Sequence, residues 1–347
     1  MERKLWIDNL RGLCMLAILL DHTEIYYTGE NVVDYNLYVV NALVVFFFIS
    51  GYLMFRSQAS GKVADFDLRH KVGAVMRTLV VPYLIFTTII YVPKTLVHGG
   101  AFCISDMAAD ILGGQASWFI AALCVAELVF AVVIKLSKGN CLCLWATSVA
   151  GFLASIYLSQ EGKAYLWQFD NAMQALLFLC AGYSYHKYER LLDRFNRLAV
   201  NILLAVLLVV LKIYGQANGI DLLVWHIHIT DYTVFLLDIS VCTLLAVQMF
   251  KQLSLLTFKL LPSNGSKQLL SHGLLCWTGR HTIVYYFLCG GVPLIVSKVL
   301  VRIGMPYSGN YLYVVLAFAL VYVFTTALTY IVYRYLPFTV GKWQRRV

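Results

Sequence analysis

Long apolar stretches recur along almost the whole chain, each interrupted by a short polar or basic interval. A helix crosses the hydrocarbon core of a bilayer once it holds about 20 mostly apolar residues. The pattern therefore predicts helices near 5–27, 37–55, 78–97, 117–136, 141–159, 171–186, 198–215, 231–250, 273–297 and 310–334. The expected fold is all-α, a polytopic transmembrane helical bundle of about ten transmembrane helices, forming one domain over residues 1–347. No long repeat, low-complexity run or separate soluble domain breaks the series.

Composition excludes an ordinary soluble domain. The chain is 61% hydrophobic and 13% charged, where soluble domains carry about a quarter charged residues. A net charge of +9 raises nucleic acid as a partner, but the position of the charges excludes it. With the N-terminus inside, 20 of the 27 Lys and Arg fall on inner segments. Only Lys94, Lys163, Lys298 and Arg302 fall outside, and Arg11, Lys212 and Arg280 lie within spans. This is the asymmetry of the positive-inside rule, and it places both termini in the cytoplasm. The longest inner loop, "RSQASGKVADFDLRHKVGAVMR" (56–77), is basic. A cleavable signal peptide is not expected, because the first apolar run ends in Asp21, His22 and Glu24 rather than in small residues. Six of the nine cysteines fall in apolar spans, where cysteine packs as a small hydrophobe; no disulfide framework or zinc-like set is expected.

Ionisable side chains inside a membrane are costly, so each marks a candidate site. The first helix carries several in "IDNLRGLCMLAILLDH" (7–22). At about 100° per residue, Arg11 and His22 differ by about 20° beyond three full turns, and so share one face with Met15 and Ile18 at a rise of about 16 Å. Asp8 is three residues before Arg11, within pairing reach near the cytoplasmic end. His22 then lies deep or towards the outer half, on a face turned into the bundle, with Asp21 rotated away and Glu24 nearer the outer surface. A neutral imidazole with a pKa near 6.5 suits a general base. Taken singly, Arg11 also reads as a snorkelling anchor and His22 as a packed histidine. Arg280 reads equally as an anion or oxyanion holder and as one half of a structural ion pair. "WHIHITD" places His226, His228 and Asp231 on an outer loop without a further ligand nearby, so a hydrated loop is expected there and no metal. Trp118 and Trp225 fit an interfacial belt, with Trp118 also a candidate for lining a substrate pocket. Tyr285 and Tyr286 are expected to pack, and Asp170 and Asn171 to cap a helix.

The spacing Asp8-x-x-Arg11-Gly12, with His22 following Arg11 at the eleventh position, resembles the opening of the acyltransferase-3 family of integral membrane O-acyltransferases. Other stretches resemble it in order: "FFFISGYLMF" (46–55), "RTLVVPYLIF" (77–86), "SWFIAALCVAEL" (117–128), "LLFLCAGYSY" (176–185) and "TGRHTIVYYFL" (278–288). The chain departs from the family pattern at Ala74, where a second arginine is usual before the third helix, and at Cys289, where a histidine is common. Arg69 or Lys71 are the residues that could supply the charge missing at Ala74.

The resemblance implies transfer of an acyl group, acetyl in the usual case, from cytoplasmic acyl-CoA to a hydroxyl of a cell-envelope or exported glycan or glycolipid, in a bacterial-type plasma membrane. Acetyl-CoA is then the donor and no metal takes part. Donor phosphates call for Arg and Lys; Arg69, Lys71 and Arg77 are the candidates, with Arg11 deeper and Arg280 holding the nucleotide or the oxyanion. His22 is the expected base, Asp8 a structural support, and Trp118 a residue of the acceptor pocket. No serine or cysteine adjoins His22, which favours direct attack over an acyl-enzyme, though both routes stay open, as does oligomeric state. The rival reading is a transporter or flippase using the same Arg and His residues, for which an inverted repeat is often found and none is seen. A non-catalytic membrane sensor is the third class.

Overall fold

The computed structural model describes residues 4–56, 66–97, 102–260 and 273–342. Arg3, Lys62, Lys267, Arg345 and Arg346, counted above among the inner basic residues, lie outside them, as do the side chains of Lys94 and Lys259. In chain order the helices are α1 (Leu5–Thr28), α2 (Tyr35–Met54), α3 (Leu68–Val75), α4 (Val81–Val97), α5 (Ile104–Leu112), α6 (Trp118–Ser137), α7 (Cys141–Ser159) and α8 (Phe169–Lys187). They continue with α9 (Glu189–Leu192), α10 (Leu198–Ala217), α11 (Tyr232–Leu260), α12 (Leu274–Arg280), α13 (Thr282–Leu288), α14 (Val292–Arg302) and α15 (Tyr311–Tyr335). A hairpin of two three-residue strands, β1 (Leu222–Val224) and β2 (Ile227–Ile229), precedes α11.

Local chemistry sets the helix ends. Asp34, Asn140 and Asp231 each turn a side-chain oxygen onto an amide of the first turn that follows, at 2.8 to 2.9 Å, which is the usual N-terminal cap. Gly29 ends α1 in the left-handed region at φ 86°, where glycine carries no Cβ penalty. A π-turn over Met76–Val80 joins α3 to α4. It lies just before Pro82, whose ring has no N–H for the helical ladder.

Among the described residues seven helices are long and apolar enough to cross a membrane, one of them running from α3 through α4, or eight if α13 and α14, bent by 47°, form one broken span. The last crossing but one was expected as a single helix over 273–297. It is instead three pieces, α12 to α14, because the chain turns at His281 and again at Gly290 and Gly291. Helices also occupy the places expected for the first and sixth crossings, yet α1 and α8 are not among the seven. Their polar side chains account for this. Asp8, Asn9, Asp21 and Glu24 on α1, and Asn171 and Gln174 on α8, are all buried. A helix surrounded by protein need not be apolar in composition.

The chain forms two compact units. The first comprises Met1–Phe46, Arg190–Leu223 and His228–Ile331. Its centre is α1, packed on α11, α12, α13 and α14. The contact with α12 is made backbone to backbone: a Cβ on Gly12 would lie 2.0 Å from the Leu275 carbonyl oxygen, and one on Gly279 would lie 1.7 Å from that of Asp8. Small residues at a crossing allow this approach in membrane bundles. In the same unit Lys212 of α10 inserts its ammonium among Asn36 O, Asn41 Oδ1 and Asp238 Oδ2, each at 2.7 Å.

The second unit comprises Phe47–Glu189, Val224–Ile227 and Val332–Val347. Within it α8 packs on α6 and α7, and α3 packs on α6.

Candidate functional site

In the first unit the close approach of α1 to α12 sets the polar arrangement. It brings Arg280, at the end of α12, to Asp8, with Nε 3.2 Å from Oδ2. One residue past the His281 turn, Thr282 Oγ1 accepts a hydrogen bond from Arg11 Nη2 at 2.8 Å. Asp8, 4% exposed, is therefore a buried carboxylate with a cationic partner, and Arg280 is one half of an ion pair. Arg11 is half-buried and turned onto α13, which is a different environment from a snorkelling anchor. The surrounding hydroxyls are paired as well: Thr278 with Tyr322 at 2.9 Å, and Tyr285, fully buried, with Thr326 at 2.6 Å.

Removing one member of a buried pair costs about 3–5 kcal/mol. Arg280→Met is expected to destabilise the protein by about 3 kcal/mol, at the low end because the arginine side chain keeps 27% exposure. Thr282→Val, which removes one hydrogen bond, is expected to cost about 1 kcal/mol. Unfolding in detergent with increasing denaturant measures both.

His22 is half-buried on α1, its ring 6.4 Å from that of Tyr26. The acidic residues beside it are enclosed by protein. Glu24 is 0% exposed, and its Oε2 accepts from the Val33 amide at 3.0 Å. Asp21 is also buried and meets Asn31 at 3.5 Å. Buried residues thus lie on several sides of α1, because it is enclosed by neighbours; the single inward face of a wheel diagram applies to a peripheral helix.

The second unit holds a cavity of about 240 Å³ lined by Ser50, Arg56, Asp67, His70, Lys71, Ala74, Glu127 and Tyr183, with apolar residues between them. Asp67 caps α3 through the His70 amide at 2.9 Å, and that helix turns Lys71 inward. Lys71 Nζ lies 2.6 Å from Glu127 Oε2, while the Ser50 hydroxyl donates to the other oxygen. Of the three donor candidates, Lys71 lines the cavity, on the same side of α3 as Ala74. Arg69 and Arg77 are exposed, and Arg77 Nε donates to Gly73 O at 3.0 Å. Trp118 opens α6 and stacks on Trp225 at 5.8 Å, their planes 10° apart.

Sequence reasoning did not single out Ser50, Arg56, His70, Glu127 and Tyr183. Glu127 had a usable signal, a lone carboxylate within an apolar span. The signal of Arg56 and His70 was only membership of a basic loop. Asn171 does not cap α8; its side chain donates to Val224 O. Asp231 caps α11, and His228 lies 3.6 Å from Asp221. Among the described residues, no group of three or more His, Cys, Asp or Glu side chains could hold a metal ion.

A family model described as an acyltransferase domain, Acyl_transf_3, matches residues 4–334. No curated protein and no solved structure matches the chain. The match takes in α1 with Arg11 and His22, the basic loop, Glu127 and the α12–α13 turn, so the chain belongs to the acyltransferase-3 family of membrane acyltransferases.

Proposed function

We propose that the protein is a one-domain membrane O-acyltransferase that moves an acyl group, acetyl in the simplest case, from cytoplasmic acyl-CoA to a hydroxyl of a cell-envelope or exported glycan. The observation that carries this beyond family membership is the cavity lined by Arg56, His70 and Lys71. A coenzyme A donor carries several phosphates, and converging cationic donors recognise phosphate through short, charge-assisted hydrogen bonds. Both termini and this basic mouth lie on the cytoplasmic side in this reading, in a bacterial-type plasma membrane.

His22 is the base. The acceptor oxygen attacks the thioester carbonyl, a carbon–oxygen bond forms, and the hydroxyl proton passes to the neutral imidazole. The carbon–sulfur bond then breaks, and the proton goes from the imidazolium to the departing thiolate. Reactants and products balance without a metal or a redox partner. Arg11 and Arg280 line the donor side, Asp8 orients Arg280 through their ion pair, and Trp118 offers an aromatic face to the acceptor.

Sealed membranes from cells making the wild-type protein, given labelled acetyl-CoA, are expected to pass label to a non-protein acceptor. Label that stays in coenzyme A, with the protein folded, would favour a transporter or sensor. Lys71→Ala and Arg56→Ala are each expected to raise the coenzyme A Kd about tenfold, the worth of one charge-assisted contact. Titration calorimetry in lipid nanodiscs measures this. Arg77→Ala is expected to act in the same direction; an unchanged Kd there would leave the phosphates to Arg56 and Lys71.

A further inference from the structure

We propose that Glu127 is a positioning residue that holds Lys71 in the orientation from which its ammonium receives a donor phosphate. The proposal rests on the acyl-CoA reading above, and it begins from an electrostatic contradiction. A cavity built to receive a polyanion is served by every cation on its wall and opposed by every carboxylate. Glu127 is nevertheless there, 8% exposed, in a helix that is otherwise apolar around it.

The geometry gives the carboxylate a specific task. Its Oε2 takes Lys71 Nζ at 2.6 Å, and its other oxygen takes the Ser50 hydroxyl. One side chain on α6 thereby fixes a residue from α2 and a residue from α3. An ammonium has three donors; one is committed to Glu127, and two are left for a ligand.

Lys71 needs this help. Its four-carbon stem is flexible and its ammonium is a rotatable point charge. It stands near the start of its helix, on the fourth residue of α3, where the first-turn amides lack intrahelical partners and the end is prone to fray. Ordering a long side chain at the moment of binding weakens affinity, and ordering it beforehand removes that loss. Tyr183 points to the same ligand. It lines the cavity, is 1% exposed, and its hydroxyl has no hydrogen-bond partner. A buried donor left open in this way is satisfied when an acceptor oxygen arrives.

Positioning and simple charge balance predict opposite signs. Glu127→Gln makes the cavity more positive by one unit. If Glu127 only offsets charge, coenzyme A binds the variant more tightly. If it positions Lys71, coenzyme A binds less tightly in spite of the added positive charge. The test uses full-length protein in nanodiscs, with coenzyme A as the binding probe and acetyl-CoA for turnover. The expected result for Glu127→Gln is a Kd and donor KM raised about fivefold to tenfold with kcat little changed. The double variant with Lys71→Ala is expected to bind no worse than Lys71→Ala alone. Glu127→Asp keeps the charge but draws the carboxylate back by one methylene; it should show a smaller rise of the same sign, and it serves if the Gln variant does not fold.

Equal or tighter binding by Glu127→Gln overturns the proposal, as does a double variant whose loss is the product of the two single losses. If the Gln variant does not fold, an unchanged Kd and KM in Glu127→Asp overturn it. Failure of the wild type itself to bind coenzyme A overturns the donor reading and this inference with it. Wild-type binding with an indifferent Glu127 removes this inference alone.

Discussion

His22→Ala is expected to lower acyl transfer by about 10²-fold to 10⁴-fold, the range over which a positioned general base contributes, while coenzyme A still binds with its wild-type Kd. The two halves of this expectation have separate physical origins. The imidazole takes the proton of the attacking hydroxyl, so its loss raises the barrier for the chemical step. The cavity proposed for the donor phosphates is lined by residues of α2, α3, α6 and α8 and the basic loop, none of them on α1. Truncating a half-buried ring on α1 therefore leaves the cationic wall intact. Single-turnover transfer from labelled acetyl-CoA measures the first half, and equilibrium titration with coenzyme A the second. Turnover at the wild-type level would remove His22 as the base. A parallel loss of binding and of melting temperature would show that the variant is misfolded, and His22→Gln, closer in size and without a basic nitrogen, would then be the variant to use.

Gly279→Ala carries the largest expected effect on stability, about 3 kcal/mol or more. The added methyl carbon would lie 1.7 Å from the Asp8 carbonyl oxygen and 2.9 Å from the Gly12 amide nitrogen. Overpacking a core with extra methylenes typically costs about 1–3 kcal/mol when side chains can yield. Here the opposing atoms are backbone of the first two turns of α1, so α12 must move as a body. That movement draws Arg280 away from Asp8 and Thr282 away from Arg11, whose contacts lie within three residues of the glycine. Gly215→Ala is the control. Nothing lies within 4 Å of a Cβ at Gly215, and alanine is the better helix former by up to about 1 kcal/mol, so that variant should melt at or slightly above the wild-type temperature. A Gly279→Ala protein that melts with the control would mean that α1 and α12 do not meet as described.

The helices were legible in the sequence because apolar length is a direct readout of bilayer thickness. Helices are found in all ten expected places, and the exceptions to regularity have local causes. The bend between α13 and α14 falls at Gly290 and Gly291, which were visible in the sequence but carry no direction on their own. Within the candidate site, Arg11 and Arg280 stood out as cations in apolar surroundings, but their partners are 271 and 272 residues away in sequence. No helical period reports such a pairing. Arg69 and Lys71 were equivalent candidates for the same reason. They are two residues apart on a short helix, about 200° around its axis, and only the packing of α3 on α6 decides which one faces the cavity. Glu24 was legible only as a depth, nearer the outer side than His22. A wheel diagram assigns one face to the interior, whereas α1 is enclosed on several sides, and this carboxylate is fully buried.

Lys212 has a consequence for how the protein meets membranes of different thickness. Only 6% of the most apolar window of α10 is buried, so this helix presents most of its surface to lipid. Its ammonium is nevertheless saturated by three acceptors at one depth. When hydrophobic length and bilayer thickness disagree, a spanning helix can shift along its axis, tilt, or deform the lipid around it. Shifting would break all three hydrogen bonds at once and leave Asp238, which is 1% exposed, with the Asn41 amide but without its cation. A thinner bilayer is therefore met by tilting of α10 about the depth of Lys212, which acts as a pivot close to one end, so the long arm towards Leu198 swings far and the short arm to Ala217 little.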